Sequence, residues 1–428
     1  MQKPLRIAIA GLGTVGAGVV KMVQTHGDLL ARRAGRPIEI VAVSARSRGR
    51  DRGVSLESYA WEDDPVALAK REDVELLVEV IGGEDGPAKA SCEAALALGK
   101  HVVSANKAML ALHGQSMAEL AESKGAALRF EAAVAGGIPI VKALTEGLAG
   151  NGISRIMGVM NGTCNYILTK MDATGASYED VLKEAQALGY AEADPVVDVG
   201  GIDAAHKLSL LAATAFGSRV AFDKVKIEGI ERITLQDIKN AADMGYKIKL
   251  LGLAQQNADG LEQRMQPCLV PTDTPLGQLE GVSNMVVVEG DFIGQTVYQG
   301  PGAGEGPTAS AIMGDIMDIA RGLNIPAFGQ PARGLAQPNS SSSGSDAAYY
   351  LRFNLTDAPG TLAKLAAILG TYKVSINRMH QYGHDGKVAP LVIVTHKTPR
   401  APLNAALAEI CALSASKAEP VALRIESL

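Results

Sequence analysis

The sequence predicts an α/β protein: a Rossmann-type doubly wound parallel sheet, a second, mixed α/β domain, and a small C-terminal βαββαβ unit of ferredoxin-like order. Three observations carry that prediction. Short, nearly continuous apolar runs rich in Val and Ile alternate with helical stretches over residues 1–130, as in a parallel sheet covered on both faces. A Pro, Gly and Ser-rich stretch, QPARGLAQPNSSSSGSD, occupies 330–346; its composition cannot bury apolar area against its ordering entropy, so it reads as a linker. Beyond it, YYLRFNL alternates like a half-buried strand and TLAKLAAILGTY is spaced like a helix.

In the first segment the strands are expected at Leu5–Ala10, Ile38–Ser44, Val74–Ile81 and His101–Ser104, with helices around Val15–Arg33, Pro65–Lys70, Pro87–Leu98 and Gly114–Lys124. Residues 131–306 are less regular. A Gly-rich turn, AVAGGIPI, leads into a helix to about Leu148, then a strand IMGVM, the motif NGTCN, and a helix through Met171. After GYAEADP comes an apolar helix over Ile202–Phe216, then strands at Lys224–Ile230, Ile248–Ala254, Glu262–Val270 and Asn284–Val288. A helix within 307–330 is expected to return to the first domain. The linker is placed at 331–346 and a separate unit at 347–428, in which VSINRMHQYG and KVAPLVIVTHK flank a His-Asp-Gly turn. A helix over Pro402–Leu413 and the strand VALRIES complete it.

Composition narrows the function. At roughly 100–200 residues per domain, 428 residues imply two to four domains. A net charge of −5 supplies no basic field for nucleic acid or an anionic membrane. No apolar run is long enough to span a bilayer, and the N-terminus lacks the h-region and cleavage site of a signal peptide. Cys92, Cys164, Cys268 and Cys411 are widely separated, without a CxxC pair. This excludes a disulfide framework and a Cys-rich zinc site, and a cytoplasmic location is expected.

Residues 11–16 read GLGTVG, directly after the first strand and opening the first helix. Gly11 permits the tight turn, Gly13 lets the backbone approach a pyrophosphate, and Gly16 allows close helix–strand packing, with Thr14 and Val15 between them. At the end of the second strand no acid is available to grip a ribose 2′-hydroxyl. Instead Arg46, Arg48, Arg50 and Arg52 follow, and a guanidinium suits a 2′-phosphate. NADP is therefore expected in preference to NAD, with Arg46 as first contact. HVVSANKAML delivers Ser104, Asn106 and Lys107 at a strand's carboxyl end, where ligands of such sheets bind.

Asp203 and Lys207 lie four apart on a helix face. An ordinary surface ion pair has the same spacing, but Glu192, Asp194 and Asp198 precede it in a Gly- and Pro-broken loop, so acid and base groups can converge. Glu131 lies at a strand end before a turn exposing main-chain carbonyls, oxygen ligands of the kind hard cations take. His206 is off the Asp203–Lys207 face and reads as packing. His380 and His384 have no Cys or carboxylate at metal-ligand spacing in the sequence and read as hairpin surface, not metal.

Taken together, VSANKA (103–108), FEAAVAGGIPI (130–140), GVMNGTCNYILTKM (158–171), ALGYAEADPVVDVGGIDAAHKL (187–208), GPGAGEGPTASAI (300–312) and DAPGTLAKL (357–365) resemble the monofunctional homoserine dehydrogenases that carry a C-terminal ACT domain. The resemblance covers nearly the whole chain. It implies reversible NAD(P)-dependent interconversion of L-homoserine and L-aspartate 4-semialdehyde, on the route to threonine and methionine. Lys107 and Lys207 then match the lysines flanking the reacting carbon, with Lys207 the proton donor. Glu192 matches the residue gripping the substrate amino group, with Tyr190, Asp198 and Asp203 in the same pocket. Gly189, Glu305 and Gly306 approach the nicotinamide. Glu131 with the carbonyls of Val134, Gly136 and Ile138 matches a sodium site.

In the terminal unit the resemblance implies an amino-acid effector, threonine by pathway logic. Its carboxylate would lie at Gly360 and its ammonium near Asp357 or Asn354, and pairing of such modules implies a homo-oligomer, dimer or tetramer. Two other readings compete. An aspartate-semialdehyde dehydrogenase would need an activated thiolate, for which Cys164 is the only candidate. A non-enzymatic NADP- and amino-acid-sensing regulator would need an output surface, and no helix-turn-helix or basic patch is present.

Overall fold

The computed structural model describes residues 3–192, 194–341, 344–381 and 388–427. The expected His-Asp-Gly turn, including His384, lies outside them.

The first sheet is parallel throughout. Its elements run β1 (Leu5–Ala10), α1 (Thr14–Ala34), β2 (Ile38–Ser44), β3 (Ala60–Trp61), α2 (Pro65–Lys70), β4 (Leu76–Glu79), α3 (Pro87–Ala97), β5 (His101–Ser104), α4 (Lys107–Ser123) and β6 (Leu128–Arg129). The strand order is β3-β2-β1-β4-β5-β6. The reversal between β1 and β4 is the switch point at which such sheets open a crevice at their carboxyl ends. Strand residues such as Ile7, Ile9, Leu77 and Val78 are fully buried, which explains their unbroken apolar character. Helix α4 begins seven residues before the expected Gly114. The Asn106 side chain accepts from the Met109 amide at 3.1 Å, an N-cap that overrides the extended reading of the preceding strand.

Next come α5 (Ile140–Lys142), continuing as a π turn over Ala143–Gly147, then β7 (Ile153–Val159), α6 (Gly162–Thr174), α7 (Tyr178–Ala187), α8 (Val196–Val199) and α9 (Ile202–Phe216). They are followed by β8 (Lys226–Ile227), α10 (Leu235–Asp243), β9 (Tyr246–Asn257), β10 (Gly260–Pro271), β11 (Ser283–Gly290), β12 (Gly294–Pro301) and α11 (Glu305–Ala320). β9 and β10 run longer than periodicity suggested, because antiparallel pairing carries their ladder into polar residues from Tyr246–Pro271 to Asn257–Gly260. β12 was not expected; most of its residues are exposed, and its register with β11 rather than burial holds it. Helix α11 packs Ile312 and Ile316, both fully buried, into the core built by β1, β2 and α1. Those two side chains contribute about 3–6 kcal/mol of hydrophobic stabilisation.

The terminal unit has the order β13 (Ala348–Thr356), α12 (Thr361–Thr371), β14 (Ile376–Gln381), β15 (Val388–Thr395), α13 (Arg400–Cys411), β16 (Val421–Ile425), the βαββαβ pattern. It is not separate from the body. β16 pairs in parallel with β10, Cys268 opposite Arg424 and Leu269 opposite Ile425, so one ten-stranded sheet runs through both. The stretch read as a free linker is docked too. Leu261 N donates to Asn339 O at 2.7 Å and Ser341 N to Leu261 O at 3.1 Å, because the backbone edge of β10 supplies the hydrogen bonds that its small side chains cannot replace.

Two polar clusters lock this junction. The carboxylate of Asp237, fully buried, closes the capping box of α10 with Thr234. It also accepts from Tyr350 Oη at 2.9 Å and Arg352 Nε at 2.6 Å. Arg264 donates to Glu262 at 2.9 Å and Glu426 at 2.6 Å, and Arg424 shares Glu426 at 2.5 Å.

Candidate active site

The GLGTVG turn is built by steric necessity. Gly11 has φ +103°, and a Cβ there would meet Val80 O at 2.5 Å; a Cβ on Gly16 would lie 2.0 Å from Gly11 O. A Cβ on Gly13 would meet nothing within 4 Å, so the backbone at the start of α1 faces open space, as a diphosphate cradle requires. Val80 belongs to the loop after β4. That loop is shaped by Glu79, fully buried, whose carboxylate accepts from the Ile81 and Gly82 amides at 2.8 and 3.2 Å and from Ser104 Oγ at 2.6 Å. The Ser104 side chain faces Glu79 rather than the cavity. Its hydroxyl is consumed by Glu79, and the residue is fully buried outside the cavity lining. An acid inside the apolar run LLVEVIGG was the signal for Glu79, and it went unused.

A cavity of about 620 Å³ opens between the carboxyl ends of β4 and β5 and the loops before α6 and α9. Val15, Lys107, Val134, Gly189, Tyr190, Asp198, Asp203 and Lys207 all line it. At its base the Asp203 carboxylate sits between two ammonium groups, Lys107 Nζ at 2.9 Å and Lys207 Nζ at 2.8 Å. Lys207, 9% exposed, also donates to Met160 O at 2.9 Å. Burial opposes ionisation of Asp203, but the two lysines outweigh it and hold the carboxyl well below the usual carboxylate range. Burial likewise opposes the Lys107 ammonium, and Asp203 outweighs that, so its pKa is raised. Asp198 is pushed up by burial and by the charge of Asp203.

Asn161 opens the NGTCN motif, and nothing in the spacing of that motif points to its role. Its amide nitrogen lies 3.3 Å from Asp198 and 3.4 Å from Asp203, while its oxygen caps α6 through the Cys164 amide at 2.8 Å. It ties both acids to one helix start. Cys164 is fully buried, its thiol directed to Asp198 O at 3.3 Å, and burial pushes its pKa up. That environment suits an inert thiol rather than a nucleophile. His206, 4% exposed, packs on the Phe222 ring with 4.3 Å between centroids.

Other expected residues lie apart from the lining. Glu192 is exposed and its side chain is not among the lining groups, although its charge reaches Lys107. Glu305 reaches toward Lys21 at 3.7 Å, and neither it nor Gly306 lines the cavity; Gly304 and Thr308 do. Residue 305 opens α11, which turns its side chain outward while the preceding glycine faces in. Arg46 is exposed at the end of β2. Arg52 is taken by the loop itself, donating to Leu12 O at 2.9 Å, with its guanidinium and that of Arg48 each 5.8 Å from the Trp61 ring.

Comparison with known proteins bears on this geometry. Residues 11–131 match the NAD-binding domain of homoserine dehydrogenase, 139–317 match the homoserine dehydrogenase family, and 349–415 match the ACT domain. A homoserine dehydrogenase of Neisseria gonorrhoeae is 44% identical over 100% of this chain and 99% of its own length. The chain belongs to the homoserine dehydrogenase family. One from Bacillus subtilis is 39% identical over 93% of each chain. A crystal structure of a homoserine dehydrogenase from Thiobacillus denitrificans superposes with a TM-score of 0.94 at 40% identity, covering 99% of this chain and 98% of that one. A hyperthermophilic archaeal homoserine dehydrogenase in complex with NADPH gives 0.64 at 27% identity, over 76% of this chain and 99% of that one. The chain is thus an oxidoreductase with a nicotinamide-nucleotide domain. Among the described residues, no helix is long and apolar enough to cross a membrane.

Proposed function

We propose that this homoserine dehydrogenase interconverts L-homoserine and L-aspartate 4-semialdehyde reversibly with NADP, on the route to threonine and methionine. The observation that carries the proposal is Asp203 held between Lys107 and Lys207 at the base of the cavity. The open backbone at Gly13 and the α1 N-terminus fit a dinucleotide diphosphate. When bound, NADP would supply or accept the hydride at the carbon bearing the homoserine hydroxyl. In reduction, Lys207 Nζ gives a proton to the aldehyde oxygen, on which negative charge gathers; in oxidation it takes that proton back. The Lys107 ammonium adds positive potential on the other side, and Asp203 fixes both nitrogens. Tyr190 and Asp198 line the cavity where the amino group would lie, and Glu192, exposed outside the lining, would have to turn inward to reach it. Lys207→Ala should lower kcat by orders of magnitude with NADPH affinity little changed; turnover near that of the unaltered enzyme would end the assignment.

Preference for NADP rests on the arginine-rich end of β2 and the lack of an acid there. Arg46→Ala should lower the NADP-to-NAD ratio of kcat/KM, and an unchanged ratio would remove Arg46 from the account. For a monovalent cation, the residues present fit. The Glu131 carboxylate is 2% exposed and accepts from the Val141 and Lys142 amides at 2.9 and 2.8 Å. Asp315 and Asp318 are buried nearby, with Lys142 facing both. Lys142 and Arg321 both face Asp318, while burial pushes Glu131 up to about 6 and Asp315 up to about 7; a bound cation would favour their ionised forms, and the carbonyls of Val134, Gly136 and Ile138 would supply hard oxygen ligands for sodium.

Threonine is the proposed effector, held by Gly360 with φ +85° at the start of α12, Asp357 and Asn354. Asp357→Asn in the full-length protein should abolish threonine inhibition, and undiminished inhibition would exclude this turn. The assembly is read as an even-numbered homo-oligomer, testable by light scattering. Its four cysteines are free thiols, in keeping with the cytoplasm.

A further inference from the structure

Two clefts lie where the terminal unit meets the body, of about 430 and 300 Å³, and they share Glu228, Arg400 and Asn404. Their origin is topological. One edge of β10 is occupied by two short strands in succession. β8 pairs opposite Arg264 and Met265, and β16 pairs opposite Cys268 and Leu269. The ladder on that edge therefore breaks between them, and the break opens into the clefts.

The charges around the break are mostly neutralised. Arg264 and Arg424 are satisfied by Glu262 and Glu426, and Arg232 pairs with Glu419. Lys226 is exposed at the rim. Arg400 is different. It is half-buried, stacks 5.3 Å from the Tyr349 ring, and makes no hydrogen bond or ion pair among the described residues. Glu228 is exposed on the cleft wall; its carboxylate accepts no hydrogen bond among the described residues, and the charges of Arg400 and Arg232 act on it from beyond ion-pair distance. The larger cleft adds apolar walls from Ile233, Leu407, Val421 and Leu423.

We infer that this seam binds an aliphatic L-α-amino acid, its carboxylate on the Arg400 fork and its ammonium on Glu228. A guanidinium stacked on an aromatic ring is oriented to take a carboxylate bidentately. One zwitterion would bridge the two groups, and its side chain enters the apolar cleft. The site is distinct from the Gly360 turn and does not depend on that turn's being an effector site.

It also has a route to the catalytic cavity. The segment after Glu228 presses on the turn before α9: Ile230 N donates to Val199 O at 3.0 Å, and a Cβ on Gly229 would fall 2.5 Å from Val199 O and 2.6 Å from Gly200 Cα. That turn lies between Asp198 and Asp203. A ligand that moves Glu228 therefore moves the base of the catalytic cavity, and the coupling is reciprocal.

The test uses the full-length protein with L-valine, L-leucine, L-isoleucine, L-methionine and L-threonine, each at millimolar concentration. Thermal shift and equilibrium dialysis report binding, and the homoserine KM reports coupling. At least one of these should raise Tm saturably and change the KM. Arg400→Gln and Glu228→Gln should each weaken binding about tenfold or more, roughly one lost charged contact, with unliganded turnover unchanged. Arg400→Lys should restore part of the affinity, and Asp357→Asn should leave it intact. The N-acetyl derivative and the amine lacking the carboxylate should not bind. Should Arg400→Gln fail to fold, Glu228→Gln carries the test alone. The inference is overturned by no saturable shift with any of the five, by unaltered affinity in Glu228→Gln, or by binding of the amine. Loss of binding in Asp357→Asn with retention in Arg400→Gln would assign the ligand to the Gly360 turn instead.

Discussion

Replacing Asp203 by Asn probes the centre of the site most directly. At 2.8–2.9 Å and an effective dielectric of about 20, each ammonium–carboxylate attraction is about 6 kcal/mol gross. Desolvating three charges and the mutual repulsion of the two ammonium groups offset most of that, and Lys107, with a side chain 36% exposed, is partly screened by solvent. What remains is the cost of leaving a buried charge without its partner, about 3–5 kcal/mol. The variant should lose stability on that scale in chemical denaturation. Loosening Lys207, the proton donor that Asp203 fixes, should reduce kcat by up to about 10²–10⁴-fold.

The pH dependence has a definite sign. Asp203 raises the Lys107 pKa above its ordinary value, so in Asp203→Asn that ammonium deprotonates at lower pH. The alkaline limb of the kcat profile for semialdehyde reduction, followed by NADPH absorbance, should move toward neutrality. Asp203 itself is depressed, so its contribution to stability holds above the ordinary carboxylate range and is lost only in strong acid; the variant should lack that acid-sensitive component. Unchanged kcat together with an unchanged alkaline limb would refute the reasoning.

Other outcomes follow from the same geometry. Gly13→Ala should leave Tm unchanged but raise the NADPH KM, whereas Gly16→Ala, whose Cβ would strike Gly11 O, should lower Tm; equal effects on Tm would contradict the packing. Arg352→Leu strands the fully buried Asp237 carboxylate and should cost about 3–5 kcal/mol, read by urea denaturation. Burial pushes Lys249, 3% exposed, down to about 8. The unfolded chain binds more protons than the folded one above that value, so this residue makes stability rise from about pH 8 to about 10.4, by at most about 1.4 kcal/mol per pH unit. Denaturation across that range should show a smaller rise in Lys249→Met.

Much of the nucleotide domain was legible because its strands are buried on both faces. Burial on both sides leaves an unbroken apolar run, and β1, β2 and β5 fall where those runs fall. The Gly11–Gly16 turn was legible because steric contacts demand glycine there. β12 was not, since an exposed strand held only by its neighbour's backbone leaves no hydrophobic trace. Lys107 and Lys207 could be suspected from their settings, but their meeting on one carboxylate is a tertiary fact that spacing cannot supply. Glu79 and Asn161 act on backbone amides and on other side chains, so their importance depends on partners far away in the chain. The Ser-rich stretch misled because composition records what side chains can bury and says nothing of an edge offering main-chain partners.

The pairing of β16 with β10 has a practical consequence for anyone who would trim this enzyme. Cutting the chain before residue 347 would not release an independent appendage. It would strip a neighbour from a central ladder, leave Asp237 without Arg352 and Arg264 with Glu262 alone, and present raw amide and carbonyl groups to any passing strand. Shortened forms should clump or refold poorly, so insensitivity to an effector in such a fragment would say more about a damaged sheet than about where regulation resides.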